Sequence, residues 1–233
     1  MIDIVIAKYK EDTSWTANLN KNKFNVIVYN KIDNLTNPEN NNLPNIGKES
    51  YAYIYYIVKN YYNLPESIIF LQGYPLEHCG NIPEIWKNYF ENIHSFDRYC
   101  NYRRWPDEAH TEITDINHIE VTDKLTINLV KYLNNKNYFD LFECFGNIVN
   151  YTGAYSDQRQ LLYNQLNIHN ISDKFSIGAQ FIVPSSYIKN KSLSFWETLL
   201  NLHVSNTSDS ICSQTMPNTL EQSWIDIFNF SDQ

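Results

Sequence analysis

The chain has 233 residues, 43% hydrophobic and 19% charged, with a formal net charge of −8 and a pI near 5.2. That length supports one sizeable core, and the acidic balance without a basic stripe argues against a nucleic-acid partner. Glycine is scarce at 6 and aromatics reach 15%, including 18 Tyr, so low-complexity disorder is excluded for most of the chain.

The N-terminal "IDIVIA" (2–7) predicts a buried strand. Asp3 and Lys8 interrupt this apolar stretch too early for a signal peptide. "FNVIVYN" (24–30) predicts a second strand of the same kind. Neither run alternates, which suits a parallel sheet covered on both faces. The Asn- and Pro-rich stretch 31–45 has no period and reads as a loop. In "GKESYAYIYYIVKNYY" (47–62), Tyr51, Ile54, Tyr55, Val58, Tyr61 and Tyr62 recur at helical spacing, and Pro65 follows the end. A third strand at Ile68–Leu71 then stops at Gln72 and Gly73. Strand, loop, helix, strand is the order of a parallel unit.

Further on, 83–93, 122–133 and 156–166 read as helices, and 95–121 as irregular. "KFSIGAQFIVP" (174–184) reads as one strong strand with Gly178 inside it, a residue type that in strands often marks close approach of a ligand. A helix from Ser185 to about Leu202 and a last one over 216–230 complete the chain. No run approaches the ~20 apolar residues needed to cross a bilayer. The four cysteines form no C-x-x-C pair, which points to free thiols in a reducing compartment. The expectation is a soluble, cytoplasmic protein without a membrane span.

In open parallel sheets, ligands bind outside the carboxyl ends of the strands. Here those ends are polar: Lys8, Tyr9 and Asp12, then Asn30 and Lys31, then Gln72, Gly73, Glu77 and His78. Glu77 beside His78 suits a divalent metal or an acid–base pair, or else two surface turn residues. "NIGKE" (45–49) opens a helix, where backbone N–H groups and Lys48 suit a phosphate or a ribose; simple helix entry also accounts for it. Arg98, Arg103 and Arg104, interleaved with Tyr99, Tyr102 and Trp105, suit a phosphate clamp or a solvated aromatic loop. Glu221, between Leu220 and Trp224, either reaches a cleft as a base or lies on the exposed side of its helix. The chain has no G-x-S-x-G elbow, no P-loop and no G-x-G-x-x-G.

Taken in order, "VIAKYKEDTSW", "VIVYNK", "LPNIGKESYAYIYYIVKNYYNLPESIIFLQGYPLEH", "FSIGAQFIVPSSYI" and "LEQSWIDIF" resemble the family called domain of unknown function 3431. Residues 95–170 carry none of the resemblance. That family in turn looks like the nucleotide-diphospho-sugar (GT-A) glycosyltransferases. The resemblance implies a single α/β domain over 1–233, GT-A-like, with a mainly parallel central sheet flanked by helices. It implies a glycosyltransferase moving a sugar from a nucleotide-sugar donor to a glycan or other hydroxyl acceptor. In that scheme Lys8, Asp12, Asn30 and Lys31 line the nucleotide. Asn45, Gly47, Lys48 and Glu49 hold the ribose or phosphates. Gln72, Gly73, Glu77 and His78 form the donor turn, with Mn or Mg on Glu77 and His78. Gln180 contacts the acceptor, Arg103 and Arg104 stabilise the leaving diphosphate, and Glu221, with Glu77, does the acid–base work. The metal-binding D-x-D of GT-A enzymes is absent from the chain. Two other functions therefore stay open: a non-catalytic carbohydrate-binding or interaction module on a degenerate transferase fold, and a metal-dependent hydrolase using Glu77 and His78.

Overall fold

The computed structural model describes residues 1–73, 134, 143–144, 148–150, 156–169, 171, 174–176, 179–204 and 215–228. The helices expected at 83–93 and 122–133, and the irregular stretch 95–121, lie outside them.

The described residues form a mixed α/β fold. Its main sheet has six strands in the order β3-β2-β1-β4-β8-β5. The first three in the chain are β1 (Ile2–Lys8), β2 (Phe24–Ile32) and β3 (Asn42–Pro44). They are followed by β4 (Ser67–Gln72), β5 (Glu143–Cys144) and β8 (Phe181–Pro184). The pairs β1–β2, β1–β4 and β2–β3 are parallel, whereas β8 runs antiparallel to both β4 and β5. The sheet is thus mainly parallel, as its unalternating strands predict. A separate antiparallel pair joins β6 (Ile148–Asn150) to β7 (Lys174–Ser176).

β1 and β4 are buried on both faces. Val5, Ala7, Ile68 and Phe70 join one core with Tyr29, Phe181 and Val183. Ile4, Ile6, Ile69 and Leu71, on the opposite face by alternation, are also fully buried. β-branched residues suit such strands because their stiff side chains pack on the pleat.

Helix α1 (Lys48–Asn60) bridges β2 and β4 and packs against β1 and β4 on one side. On the other it meets α4 (Leu193–Leu202) and α5 (Met216–Glu221). This corrects the expected face. Tyr51 and Ile54 are buried as expected, but so are Ala52, Tyr53, Tyr56 and Ile57, whereas Tyr62 is 78% exposed. A helix covered by a sheet and by other helices is buried nearly all round, so no single stripe describes it.

Three further expectations are corrected. The stretch 31–45 contains the short edge strand β3, whose Asn42 accepts from the Asn30 side chain at 3.2 Å. The run 174–184 is two strands, β7 and β8, in different sheets, with Gly178 outside the described residues. The long C-terminal helices are each broken in two. α3 (Ser185–Lys189) ends before Ser192, whose Oγ accepts from Phe195 N at 3.2 Å and caps α4. α5 ends where Ser223 Oγ bonds back to Thr219 O at 2.7 Å, a competitor to the helical ladder, and α6 (Trp224–Ile227) starts anew.

α6 is tied to α2 (Ser156–Leu166) by a buried ion pair. Arg159 Nη2 lies 2.5 Å from Asp226 Oδ2, and the Tyr163 hydroxyl donates to the same oxygen. Arg159 and Asp226 are 2% and 1% exposed. Breaking such a pair strands the other charge. Asp226→Ala is therefore expected to lose about 3–5 kcal/mol in urea denaturation. The double change Arg159→Met with Asp226→Leu should recover most of that loss, because it leaves no buried charge.

Candidate functional site

β1, β2 and β4 end along one edge of the sheet, and antiparallel β8 begins there. The order 3-2-1-4 places a topological switch point between β1 and β4, the usual ligand position in open α/β sheets. A cleft of about 210 Å³ lies at this edge. It is lined by Ala7, Tyr9 and Glu11 after β1, Lys31 from β2, Asn45, Lys48 and Glu49 at the start of α1, and Gln72 from β4.

Strand parity decides which expected residues reach it. Ala7, Tyr29 and Phe70 belong to the core beneath α1. Tyr9, Lys31 and Gln72 share their parity. Lys8 and Asn30 have the other parity, and neither lines the cleft. Asp12 does not line it either. Its carboxylate accepts from Ser14 N and Oγ, both at 2.8 Å, and those bonds hold its pKa below the usual carboxylate value. A 3₁₀ turn (Ser14–Asn18) follows and buries Trp15, whose Nε1 donates to Gly73 O at 3.3 Å. Gly73 lies in close approach to the β1 end: a Cβ there would meet Glu11 Oε2 at 2.8 Å and Lys8 Cα at 3.1 Å.

At the other wall, Gly47 begins α1 with φ +62, and a Cβ on it would sit 2.3 Å from His203 Cδ2. The His203 ring is buried, with Nε2 3.0 Å from Ser50 Oγ and Nδ1 3.0 Å from Leu199 O. Burial, and then the nearby positive Lys31, lower its pKa to about 4, so the imidazole is neutral. Lys48 Nζ donates to Asn218 Oδ1 at 3.2 Å, and Gln180 Nε2 donates to Gln72 Oε1 at 3.4 Å. Gln180 is almost fully buried. Glu221 is half-buried near α1, and its charge is one of the causes that raise the Glu49 pKa.

The two places where backbone N–H groups could take an anion are filled by the chain itself. Glu11 Oε2 accepts from Tyr9 N at 2.6 Å and Lys10 N at 3.1 Å. Glu49 accepts from its own backbone N–H at the helix start and from Gln72. Even so, loss of water raises the Glu49 pKa to about 7. Lys31 is 4% exposed and is lowered by burial to about 7, against a weaker opposing pull from Glu49. Lys31 Nζ donates to Ile46 O at 2.5 Å and lies 4.8 Å from the Tyr51 ring centroid. At the rim, Tyr9 is held by its hydroxyl on Asp33 Oδ2 at 2.6 Å, while Asn45 donates to Asp33 Oδ1 at 2.7 Å.

The structure thus brings together Lys31, Asn45, Lys48, Glu49 and Gln72 in the cleft, with Gly47, Gly73, Gln180 and Glu221 as its supports. Tyr9 was expected at the end of β1 and does line the cleft, whereas Glu11 and His203 were not foreseen. The signal for Glu11 was parity counted from the buried Val5 and Ala7, whereas His203 has no local signal. Glu77, His78, Arg103 and Arg104 lie outside the described residues. Among the described residues, no three His, Cys, Asp or Glu side chains cluster as metal ligands.

Residues 4–94 match the model of a family described as protein of unknown function (DUF3431). The chain is similar to that family over this segment. The match bears out the family read from the motifs, and it covers every residue that lines the cleft. No curated protein and no solved structure matches the chain.

The Gly47→Ala variant is expected to lose about 2–4 kcal/mol of stability in chemical denaturation, since it strains a left-handed residue and overpacks His203. The Glu49 carboxyl has a folded pKa above its unfolded one. Its contribution to stability is complete below about pH 4.5 and is lost as pH rises towards about 7. His203 has the opposite sign, with stability lost as pH falls from about 6.5 to about 4. Glu49→Gln removes the first effect and keeps the second. The variant should therefore gain on the wild type by up to about 1.4 kcal/mol per pH unit between pH 5 and 7 in urea titrations. A constant difference would mean that Glu49 does not titrate there.

Proposed function

We propose that the cleft binds a sugar-bearing ligand, and that the protein is a GT-A-like glycosyltransferase. It would transfer a sugar from a nucleotide-sugar donor to a glycan or other hydroxyl acceptor. The observation that carries this is the lining of the switch-point cleft. Two carboxylates (Glu11, Glu49), two amides (Asn45, Gln72), two lysines and a rim tyrosine offer acceptors and donors to several hydroxyls at once. About 210 Å³ is below the ~300–1,000 Å³ of pockets that enclose a drug-sized ligand, so the cleft suits one sugar ring or the ribose. Because Glu11 and Glu49 already occupy the backbone anion positions, phosphate recognition falls to the lysines. Of these, Lys48, fixed by Asn218, faces the charge that leaves with the nucleoside diphosphate.

In the reaction, the acceptor oxygen bonds to the anomeric carbon as the bond to the diphosphate oxygen breaks. The acceptor proton passes to a carboxylate. Glu221 is the candidate, with Glu49 beside it, whose own pKa is raised to about 7 mainly by loss of water and in part by the charge of Glu221. Among the described residues no three metal-ligand side chains cluster, and the chain has no D-x-D. No helix among the described residues is long and apolar enough to cross a membrane. With its unpaired cysteine spacing the protein would work in the cytoplasm, on soluble partners.

The test is a panel of UDP, GDP and CMP sugars, with Mn or with EDTA, read by thermal shift and by release of the nucleotide. One nucleotide class should raise the melting temperature by mass action. Glu221→Gln or Glu49→Gln should lower turnover at least ~100-fold while keeping that shift. The absence of D-x-D favours a second reading, a carbohydrate-binding module. It predicts shifts with free glycans, none with nucleotides, and no turnover.

A further inference from the structure

Lys31 is the unusual group of this cleft. It is 4% exposed, yet no carboxylate pairs with it among the described residues. Its one hydrogen bond goes to the Ile46 carbonyl at 2.5 Å, and its Nζ rests 4.8 Å from the Tyr51 ring centroid. The charged groups that act on its surroundings are Glu49, whose carboxylate is tied to Gln72 and its own N–H, and His203, which is neutral. An ammonium so enclosed lacks the solvation and the counter-charge that favour it. A neutral amine satisfies the same geometry: one N–H donates to Ile46 O and the lone pair remains available. Because Lys31 lines the cleft, a ligand there meets that amine.

We propose that Lys31 is an amine nucleophile that forms an imine with a small hydroxylated aldehyde or ketone bound in the cleft. The ligand class follows from the remaining lining. Asn45, Gln72 and Glu49 hold hydroxyls, and about 210 Å³ limits the ligand to a short polyol chain or an opened sugar. Nζ bonds to the carbonyl carbon, and the carbonyl oxygen becomes a hydroxyl with the proton the nitrogen gives up. That hydroxyl then leaves as water, protonated by the Glu49 carboxyl, while the C=N bond forms and the remaining N–H proton returns to the Glu49 carboxylate. Amine plus carbonyl gives imine plus water, with no oxidant or reductant. A Glu49 pKa of about 7 and a Lys31 pKa of about 7 let both groups hold the needed form at neutral pH. This reactivity does not depend on sugar transfer.

The test incubates the full chain at pH 7 with glycolaldehyde and cyanoborohydride, which reduces an imine to a stable secondary amine. Peptide mapping by mass spectrometry then compares the lysines. Lys31 is expected to label on the order of tenfold or more faster than exposed Lys48, since an ordinary lysine is almost wholly protonated at that pH. Its rate should rise through a midpoint near pH 7. Lys31→Arg should lose this fast adduct alone, and Glu49→Gln should slow it about tenfold. Labelling of Lys31 no faster than that of Lys48 on the wild type, or with the same pH profile, overturns the proposal without recourse to any variant.

Discussion

Everything at the sheet edge depends on the burial of α1 on almost all sides. A helix between a sheet and two other helices must satisfy each polar atom it carries inward. It does so with its tyrosines: Tyr53 donates to Ala179 O at 2.8 Å and Tyr56 to Asp3 Oδ2 at 2.5 Å. These bonds fix the helix along its axis and around it. Its first turn is then pinned where Gly47 meets His203, a contact with no room for one methyl group. Lys48 and Glu49 follow directly in the chain, so their placement at the ends of β1 and β4 is a consequence of core packing.

The same packing explains why the cleft holds ionisable groups at odds with their surroundings. Lys31 and His203 are drawn under α1 by the parity of β2 and by the close of α4, and both lose most of their water there. A core chosen for stability alone would place apolar residues at both positions. Glu49 sits at a helix start, where its charge is favoured by the dipole, yet desolvation dominates. Groups whose local preference conflicts with their environment tend to mark functional sites rather than structural ones. The Arg159–Asp226–Tyr163 cluster shows the contrast. There the buried charges are paired and bonded, far along the chain from the cleft, and they serve to join α2 to α6.

Much of this was legible because it is local. The runs at 2–7, 24–30 and 67–72 are apolar and β-branched, and a strand buried on both faces has no other way to be written. The helix at 48–60 announces itself by period. The polar ends of the strands marked the edge where the cleft lies, and Lys31, Lys48, Glu49 and Gln72 were found this way. What failed was what depends on a neighbour. Which face of α1 is buried depends on α4 and α5, which come more than a hundred residues later. Whether Lys8 or Tyr9 faces the cleft turns on a single step of strand parity. The breaks at Ser192 and Ser223 come from hydroxyls that bond locally, as a cap and as a back-bond, in segments whose apolar spacing runs on unbroken. His203 gave no sign, because its meaning lies wholly in Gly47 and Ser50.

The family match ends at residue 94, but the cleft does not stand on those residues alone. Gly47 leans on His203, Lys48 is held by Asn218, and Gln72 takes a hydrogen bond from Gln180. Each lining wall from the matched segment thus has its support in α4, α5 or the approach to β8. A segment containing only the first four strands and α1 would keep the side chains that face a ligand. It would lose what keeps Lys31 dry, because Tyr51 and Ile46 belong to the core that α4 and α5 complete. The chemistry of the cleft is therefore a property of the assembled fold, with the reacting groups on one part of the chain and their desolvation supplied by another.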